Sequence, residues 1–226
     1  DALRPSSGAS AEAVACLVVV KVGGRVQSDP ALPAALADAW AARHTPVTCG
    51  TLVVVHGGGD EVTALQHALG ATPTFVGGRR VTTARDIDTL RMALSGSANK
   101  RLVAALVARG VPAVGLSGED AALLAARRNA PALGEVGAPA AVNGALVRHL
   151  IAGGYLPVLS PLARDADAGE EAGALNVNGD DAAAAIAAAL GADELLLVAD
   201  VAGVRLADGA VVPSLDPAAA RDAIAS

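Results

Sequence analysis

The chain has little of what several function classes require. Its 226 residues include one Trp, one Tyr and one Phe, too few to build the aromatic platforms on which single-stranded nucleic acids stack. Acidic residues outnumber basic ones, 23 Asp and Glu against 17 Lys and Arg, for a formal net charge of −6. The electropositive face that attracts a phosphate backbone is therefore missing too, and nucleic-acid binding is excluded. No apolar run approaches the roughly 18 to 20 residues that span a bilayer, and residues 1–16 lack the basic start and apolar middle of a secretory signal. A cytoplasmic protein without membrane contact is the expectation. Cys16 and Cys49 stand singly, with neither CxxC spacing nor a histidine cluster beside them. That spacing suits buried, reduced thiols and gives no metal site.

What is present is apolar and ordered. Hydrophobic residues make up 53% of the chain, enough for one large domain or two lobes with a substantial core. Short runs rich in Val and Leu, such as "CLVVVKV", "TLVVVHGGG" and "ELLLVADV", alternate with alanine-rich helical stretches. Strands that are apolar on both faces, spaced by helices, predict an α/β fold: a three-layer αβα sandwich around a mainly parallel central sheet. Helices are expected near 86–94, 97–109, 142–153 and 181–190, strands at 111–116 and 155–160, and a hairpin turning at Asp208-Gly209. The polar stretch 163–174 reads either as a lobe linker or as a long hairpin loop.

In such folds ligands collect at the carboxyl ends of strands, where loops leave and helix N-termini expose free N–H groups. Three glycine turns fall at such places: Gly23-Gly24, Gly57-Gly58-Gly59 and Gly77-Gly78. Each alone is adequately explained as a turn. The first, however, follows Lys21, one of only two lysines in the chain, and lysine beside glycine N–H groups is suited to phosphate. Neither GxGxxG nor GxxxxGK[ST] occurs, which excludes the dinucleotide fold and the P-loop ATPases. In "LNVNGDD", Asp180 or Asp181 is expected to cap the following helix, leaving Asn176 and Asn178, two apart on an extended segment, as surplus amides able to donate to an anion. Arg80 is suited to bidentate carboxylate binding, Arg79 to solvent, and His56 to packing or support rather than catalysis.

Taken in order, "VVVKVGGRV", "VVVHGGG", "GGRRVTT", "SGSANKRLVAAL", "AVGLSGEDA", "GYLPVLSPL" and "LNVNGDDAAAAIAAALGADELLLVADVAGV" resemble the amino acid kinase family and, within it, the N-acetylglutamate kinases. The resemblance runs from about residue 17 to residue 212. It implies transfer of a phosphoryl group from ATP, with Mg2+, to the γ-carboxylate of N-acetyl-L-glutamate. It gives Lys21 the charge of the transferring group, with Gly23 and Gly24 as its N–H contacts, and Asp180 the task of organising the lysine. It gives Gly57, Gly58, Arg80 and Asn176 the acyl amino acid, and Asp200, Val201, Ala202, Gly203, Val204 and Arg205 the nucleotide. Residues 1–178 would form the acyl-amino-acid lobe and 179–226 an incomplete nucleotide lobe. The apolar positions Ile87, Leu90, Leu94, Leu102 and Leu106 would be core or a homodimer seam.

Two departures stand out. The family's second catalytic lysine, expected after the "DVAGV" hairpin, has no counterpart up to Ser226, and Gly179 replaces the usual alanine of "NVNAD", loosening the helix start. Alternatives are a kinase of α-aminoadipate derivatives, since one methylene discriminates by only about 1–3 kcal/mol, and a non-catalytic sensor of amino acid or nucleotide.

Overall fold

The computed structural model describes residues 16–43, 51–169, 173–201, 203–205 and 209–225. The chain begins with β1 (Leu17–Val22), a short 3-10 turn (Gly24–Ser28), α1 (Leu32–Arg43), β2 (Thr51–His56) and α2 (Gly59–Ala68). A small hairpin, β3 (Phe75–Val76) and β4 (Arg79–Arg80), precedes α3 (Ala84–Leu90), a π-helical segment (Arg91–Ala98) and α4 (Asn99–Val107). Then come β5 (Ala113–Gly118), β6 (Leu124–Arg128), β7 (Val136–Val142), α5 (Gly144–Ala152), β8 (Leu156–Asp165) and β9 (Ala174–Val177). The chain continues through α6 (Gly179–Leu190), β10 (Glu194–Val198), the hairpin β11 (Val204–Arg205) and β12 (Val211–Val212), and α7 (Pro217–Ala225).

Eight strands form one sheet in the order β10-β1-β2-β8-β6-β7-β9, with β5 also paired to β8. The half around β1 is all parallel; the antiparallel pairs β6–β7 and β8–β9 lie in the other half. Side chains alternate across each strand, and the two core clusters follow that alternation. Val18, Val20 and Val22 of β1, with Leu52 and Val54 of β2, pack on Leu36, Trp40, Leu102 and Leu106 of α1 and α4. Val19, Val53 and Val55 point the other way, onto Ala182, Ala183, Ile186 and Leu190 of α6 and Val147 of α5. The three-layer sandwich expected from the doubly apolar strands is thus what forms.

Several boundaries differ from those expected. Residues 84–107 form one continuous rod, because the π-helical segment bridges the gap expected at residues 95 and 96 and Gly96 does not break it. Strand β8 runs on to Asp165 and turns back antiparallel into β9, so the polar stretch is a hairpin loop, not a linker. The cap of α6 is Asn178, whose Oδ1 accepts from the N–H groups of Asp180 and Asp181, rather than either aspartate. Ile87, Leu90, Leu94, Leu102 and Leu106 are all buried within the chain, which makes them core and not a seam. Cys16 is half-buried and carries a free thiol; Cys49, Ala202 and Asp208 lie outside the described residues, although β11 and β12 pair as the expected hairpin.

One buried polar network crosses the core. His56, fully buried, meets the Gly57 carbonyl through Nδ1 at 2.7 Å and the Asn99 amide through Nε2 at 3.0 Å. Asn99 donates in turn to the Val158 carbonyl of β8 at 2.9 Å. Burial pushes the His56 pKa down from 6.5 to about 4, against the Gly57 hydrogen bond that raises it and with help from the Lys100 charge.

A depressed pKa means that the unfolded chain takes up the proton first, so the stability contributed by neutral His56 is complete above pH 6.5 and falls as pH drops towards 4. Across that window, urea melts should show a loss of roughly 3 kcal/mol that is absent from a His56→Asn protein. At the start of α6, a β-carbon on Gly179 would sit 3.4 Å from Lys21 Cε, an ordinary contact. Gly179→Ala should therefore raise stability by about 0.5 kcal/mol, read as a higher denaturation midpoint at unchanged slope.

Candidate active site

Lys21 is the one charged side chain in β1, and strand alternation decides where it goes. It shares a face with Val19, and that face meets α6. Its Nζ lies 2.9 Å from Asp180 Oδ1 in the first turn of α6, with the lysine side chain 13% and the aspartate 54% exposed. Gly23 lies beneath the ammonium: a β-carbon there would stand 3.0 Å from Nζ. The Gly23 N–H is donated to the Val198 carbonyl of β10 at 2.9 Å, and Gly24 opens the 3-10 turn that follows.

The second glycine turn repeats this arrangement one strand over. Gly57 donates its N–H to the Val22 carbonyl at 2.9 Å, as a last rung of the sheet. Gly58 follows as the N-cap of α2 with φ of 145°, a conformation that favours glycine, and a β-carbon there would stand 2.7 Å from Leu94 Cδ2. The first-turn N–H groups of α2 are free of intrahelical partners, as at any helix start, and the helix dipole adds partial positive charge.

Arg80 reaches this turn from β4. Its guanidinium donates to Gln66 Oε1, to the Gly59 carbonyl at 2.9 Å and to Thr63 Oγ1 at 2.7 Å, and stacks 4.7 Å over the Phe75 ring. Each of these partners is neutral, and among the described residues no carboxylate lies within ion-pair distance. Burial lowers its pKa against the more distant charges of Asp86 and Asp60, yet guanidinium stays protonated at any ordinary pH. By contrast, Arg79 is paired with Asp181 at 3.1 Å and Arg25 with Asp200 at 2.7 Å.

Two small cavities meet at Arg80. One, of about 150 Å³, is lined by Gly57, Gly58, Gly59, Arg80, Asn176 and Gly179, with Val62, Leu90, Leu94, Pro161 and Val177 as apolar wall. The other, of about 180 Å³, adds Phe75, Gly78, Arg79 and Asn178. Asn176, at the end of β9, is oriented by donating to Thr82 Oγ1 at 3.0 Å. Gly179 lines the first cavity and lies towards the lysine: a β-carbon on it would stand 3.4 Å from Lys21 Cε. Two larger cavities, about 390 and 470 Å³, surround Glu61 and Arg101 and contain none of the glycine-turn residues.

Of the sequence candidates, Lys21, Gly23, Gly57, Gly58, Arg80, Asn176 and Asp180 thus fall at one end of the sheet. Asp200 reaches the same end through Arg25, and Val201 is exposed. Gly203, Val204 and Arg205 follow in the β11–β12 hairpin. Sequence reading missed Thr63, Gln66, Phe75 and Thr82, which hold Arg80 and Asn176. A lone polar residue in an amphipathic helix carries no signal of its own; only Thr82, inside "GGRRVTT", lay in a stretch already singled out.

The amino acid kinase family matches residues 17–224. The acetylglutamate kinase of Ruegeria sp. (strain TM1040) is 43% identical over 203 residues, 89% of this chain and 68% of the relative. That of Chloroflexus aurantiacus is 44% identical over 211 residues, 92% of this chain and 80% of the relative. Among solved structures, a protein of Streptococcus mutans UA159 superposes with a TM-score of 0.77 at 26% identity, covering 92% of this chain and 82% of that one. Fold, glycine turns and sequence agree across nearly the whole length, and the chain belongs to the amino acid kinase family.

Proposed function

We propose that the chain phosphorylates the γ-carboxylate of N-acetyl-L-glutamate with MgATP, giving N-acetyl-L-glutamyl 5-phosphate for arginine biosynthesis. The single observation that carries this reading is Arg80: a permanent cation whose direct partners among the described residues are neutral, in a cavity lined by Gly179, the residue before the Asp180 that pairs with Lys21. Such a cation is completed by an anionic ligand, and a carboxylate matches its fork. The 43 to 46% identity to acetylglutamate kinases supports the substrate.

The chemistry needs no general base. A γ-carboxylate with pKa about 4.3 is ionised at neutral pH. One of its oxygens forms the bond to the γ-phosphorus while the bridging P–O bond breaks and its electron pair leaves with ADP. The protein has to hold two anions in line and neutralise the charge between them. Arg80 and Asn176 orient the α-carboxylate and amide end, with N–H groups of Gly58 and Gly59; Gly57, whose own N–H is a rung of the sheet, supplies the turn. Lys21, steadied by Asp180, meets the transferring phosphoryl group, and Gly24 adds an N–H. Residues 200–205 contact the adenosine.

Among the described residues no three acidic, histidine or cysteine side chains cluster as a metal cage. Mg2+ would be held largely by nucleotide phosphates and water, where it would neutralise charge on the phosphates. The same reading divides the chain at 178/179 into acyl-amino-acid and nucleotide lobes, and places it in the cytoplasm as a homodimer. Met92 and Val107, exposed on the outer face of the 84–107 rod, are the apolar side chains there that remain for a partner.

A hydroxamate assay should yield acyl phosphate from N-acetyl-L-glutamate and far less from N-acetyl-L-α-aminoadipate; the reverse ratio would move the chain to lysine biosynthesis, and no product from either would favour a sensor. Lys21→Ala should lower kcat by at least about a hundredfold with little change in either KM, as loss of a contact made in the transition state does. Arg80→Gln should instead raise the KM for N-acetylglutamate by about ten- to a hundredfold and leave that for ATP in place, in steady-state titrations of each substrate.

A further inference from the structure

We infer that His56 is a positioning residue for the acyl amino acid, acting through the Gly57–Gly58 peptide. The inference rests on the proposed kinase reading. It begins from a peptide flanked by two glycines: neither residue has a β-carbon to restrict rotation, so the plane between them is free to turn over. The two orientations are opposite in consequence. In a trans peptide the carbonyl and the N–H point in opposite directions. With the Gly57 carbonyl directed at the buried His56, the Gly58 N–H is directed away from it, and Gly58 lines the cavity shared with Arg80 and Asn176. Turned over, the same peptide would present a carbonyl oxygen to a substrate carboxylate.

His56 holds the first orientation. Its Nδ1 stands 2.7 Å from the Gly57 carbonyl, which only an Nδ1–H can satisfy. The other ring nitrogen then accepts, and Asn99 Nδ2, 3.0 Å away, is the donor. Asn99 is itself fixed by the Val158 carbonyl and by Lys100, whose Nζ bridges Asn99 Oδ1 at 3.0 Å and the Gly115 carbonyl at 2.9 Å. Gln27 completes the set: its amide lies 3.2 Å from His56 Nδ1 with Nε2 facing the ring, while its Oε1 is buried without a partner. Turning that amide end for end gives Nδ1–H a second acceptor and removes the orphan. A fully buried imidazole at the end of a valine strand is thereby tied on both nitrogens, and its tautomer is set by the rod behind it.

The test compares His56→Leu with His56→Asn, whose Nδ2–H takes the place of the imidazole Nδ1–H. His56→Leu should raise the KM for N-acetylglutamate by about ten- to a hundredfold while the KM for ATP stays within about twofold, and His56→Asn should recover most of the loss. Equal rises in both constants, an unchanged KM in folded His56→Leu, or no advantage of Asn over Leu would overturn the inference. Nitrogen-15 NMR of the wild-type protein decides the matter even if His56→Leu does not fold: a neutral Nδ1–H tautomer is expected, and an Nε2–H tautomer refutes the pinning. A wild-type protein inactive on N-acetylglutamate would defeat the functional reading instead. The tautomer, and movement of the Gly58 amide resonance on adding N-acetylglutamate, would still judge this one.

Discussion

The parallel register of β1 and β2 aligns Lys21 with Val55 and Val22 with His56, and the placement of the site's polar groups follows from it. Because side chains alternate, Lys21 falls on the α6 face and His56 on the α4 face of the same sheet end. A slip of β1 by one residue would bury the lysine against Leu102 and Leu106, and a slip of β2 would aim the imidazole at the α6 face. The valines on either side prevent this, since both faces are dry and each strand is held by neighbours on both edges. The register that packs the core is thus the one that separates the Lys21 ammonium on one face from the His56 imidazole, hydrogen-bonded to Gly57, on the other.

Electrostatics at this end of the sheet are arranged by contrast. The chain carries a net charge of −6, yet Lys21, Arg25, Arg79 and Arg80 gather around two helix starts. Three of these cations have an aspartate within 3.1 Å. Those pairs are partly exposed, so each contributes little stability, but each can yield its cation to a stronger anion at little cost. Arg80 has no such counter-ion among the described residues and keeps its charge in a half-buried place by spreading its donors over neutral oxygens and the Phe75 ring. A site made of one unmatched and several loosely matched cations is suited to two successive anions, one held throughout and one passed along.

Much of this was legible in the sequence. The doubly apolar strands of the parallel half, the alanine-rich α6 and the glycine turns each carry a local physical signature, and the layered fold follows from them. What escaped depends on long-range packing. The alanine-rich β6 and β7 have weak strand propensity and form through pairing with each other and with β8 and β9. The cap of α6 was misassigned because Asn178, Asp180 and Asp181 are all competent caps, and only the exit angle from β9 selects the asparagine. The π-helical segment has no sequence rule; it appears where Ser95 meets Ser160 of β8 at 2.8 Å and Leu94 is set against Gly58. Gln66 and Thr63 look like surface residues of α2 until Arg80 arrives from a hairpin distant in sequence.

The glycine turns also show why motif reading locates a cradle without saying which atoms form it. In both turns the first glycine still belongs to the sheet: Gly23 donates to Val198 and Gly57 to Val22. Neither N–H is available to a ligand without breaking a rung of the ladder. What Gly23 contributes is the absence of a side chain, since a β-carbon there would press on the Lys21 ammonium. One residue later, at Gly24 and Gly58, the chain has left the strand: Gly24 opens the 3-10 turn and Gly58 caps α2. The two turns thus need glycine for different reasons: Gly23 must be small where the lysine lies, whereas Gly58 has a φ of 145° that favours glycine and follows a carbonyl held by His56, past the point where strand geometry fixes the chain.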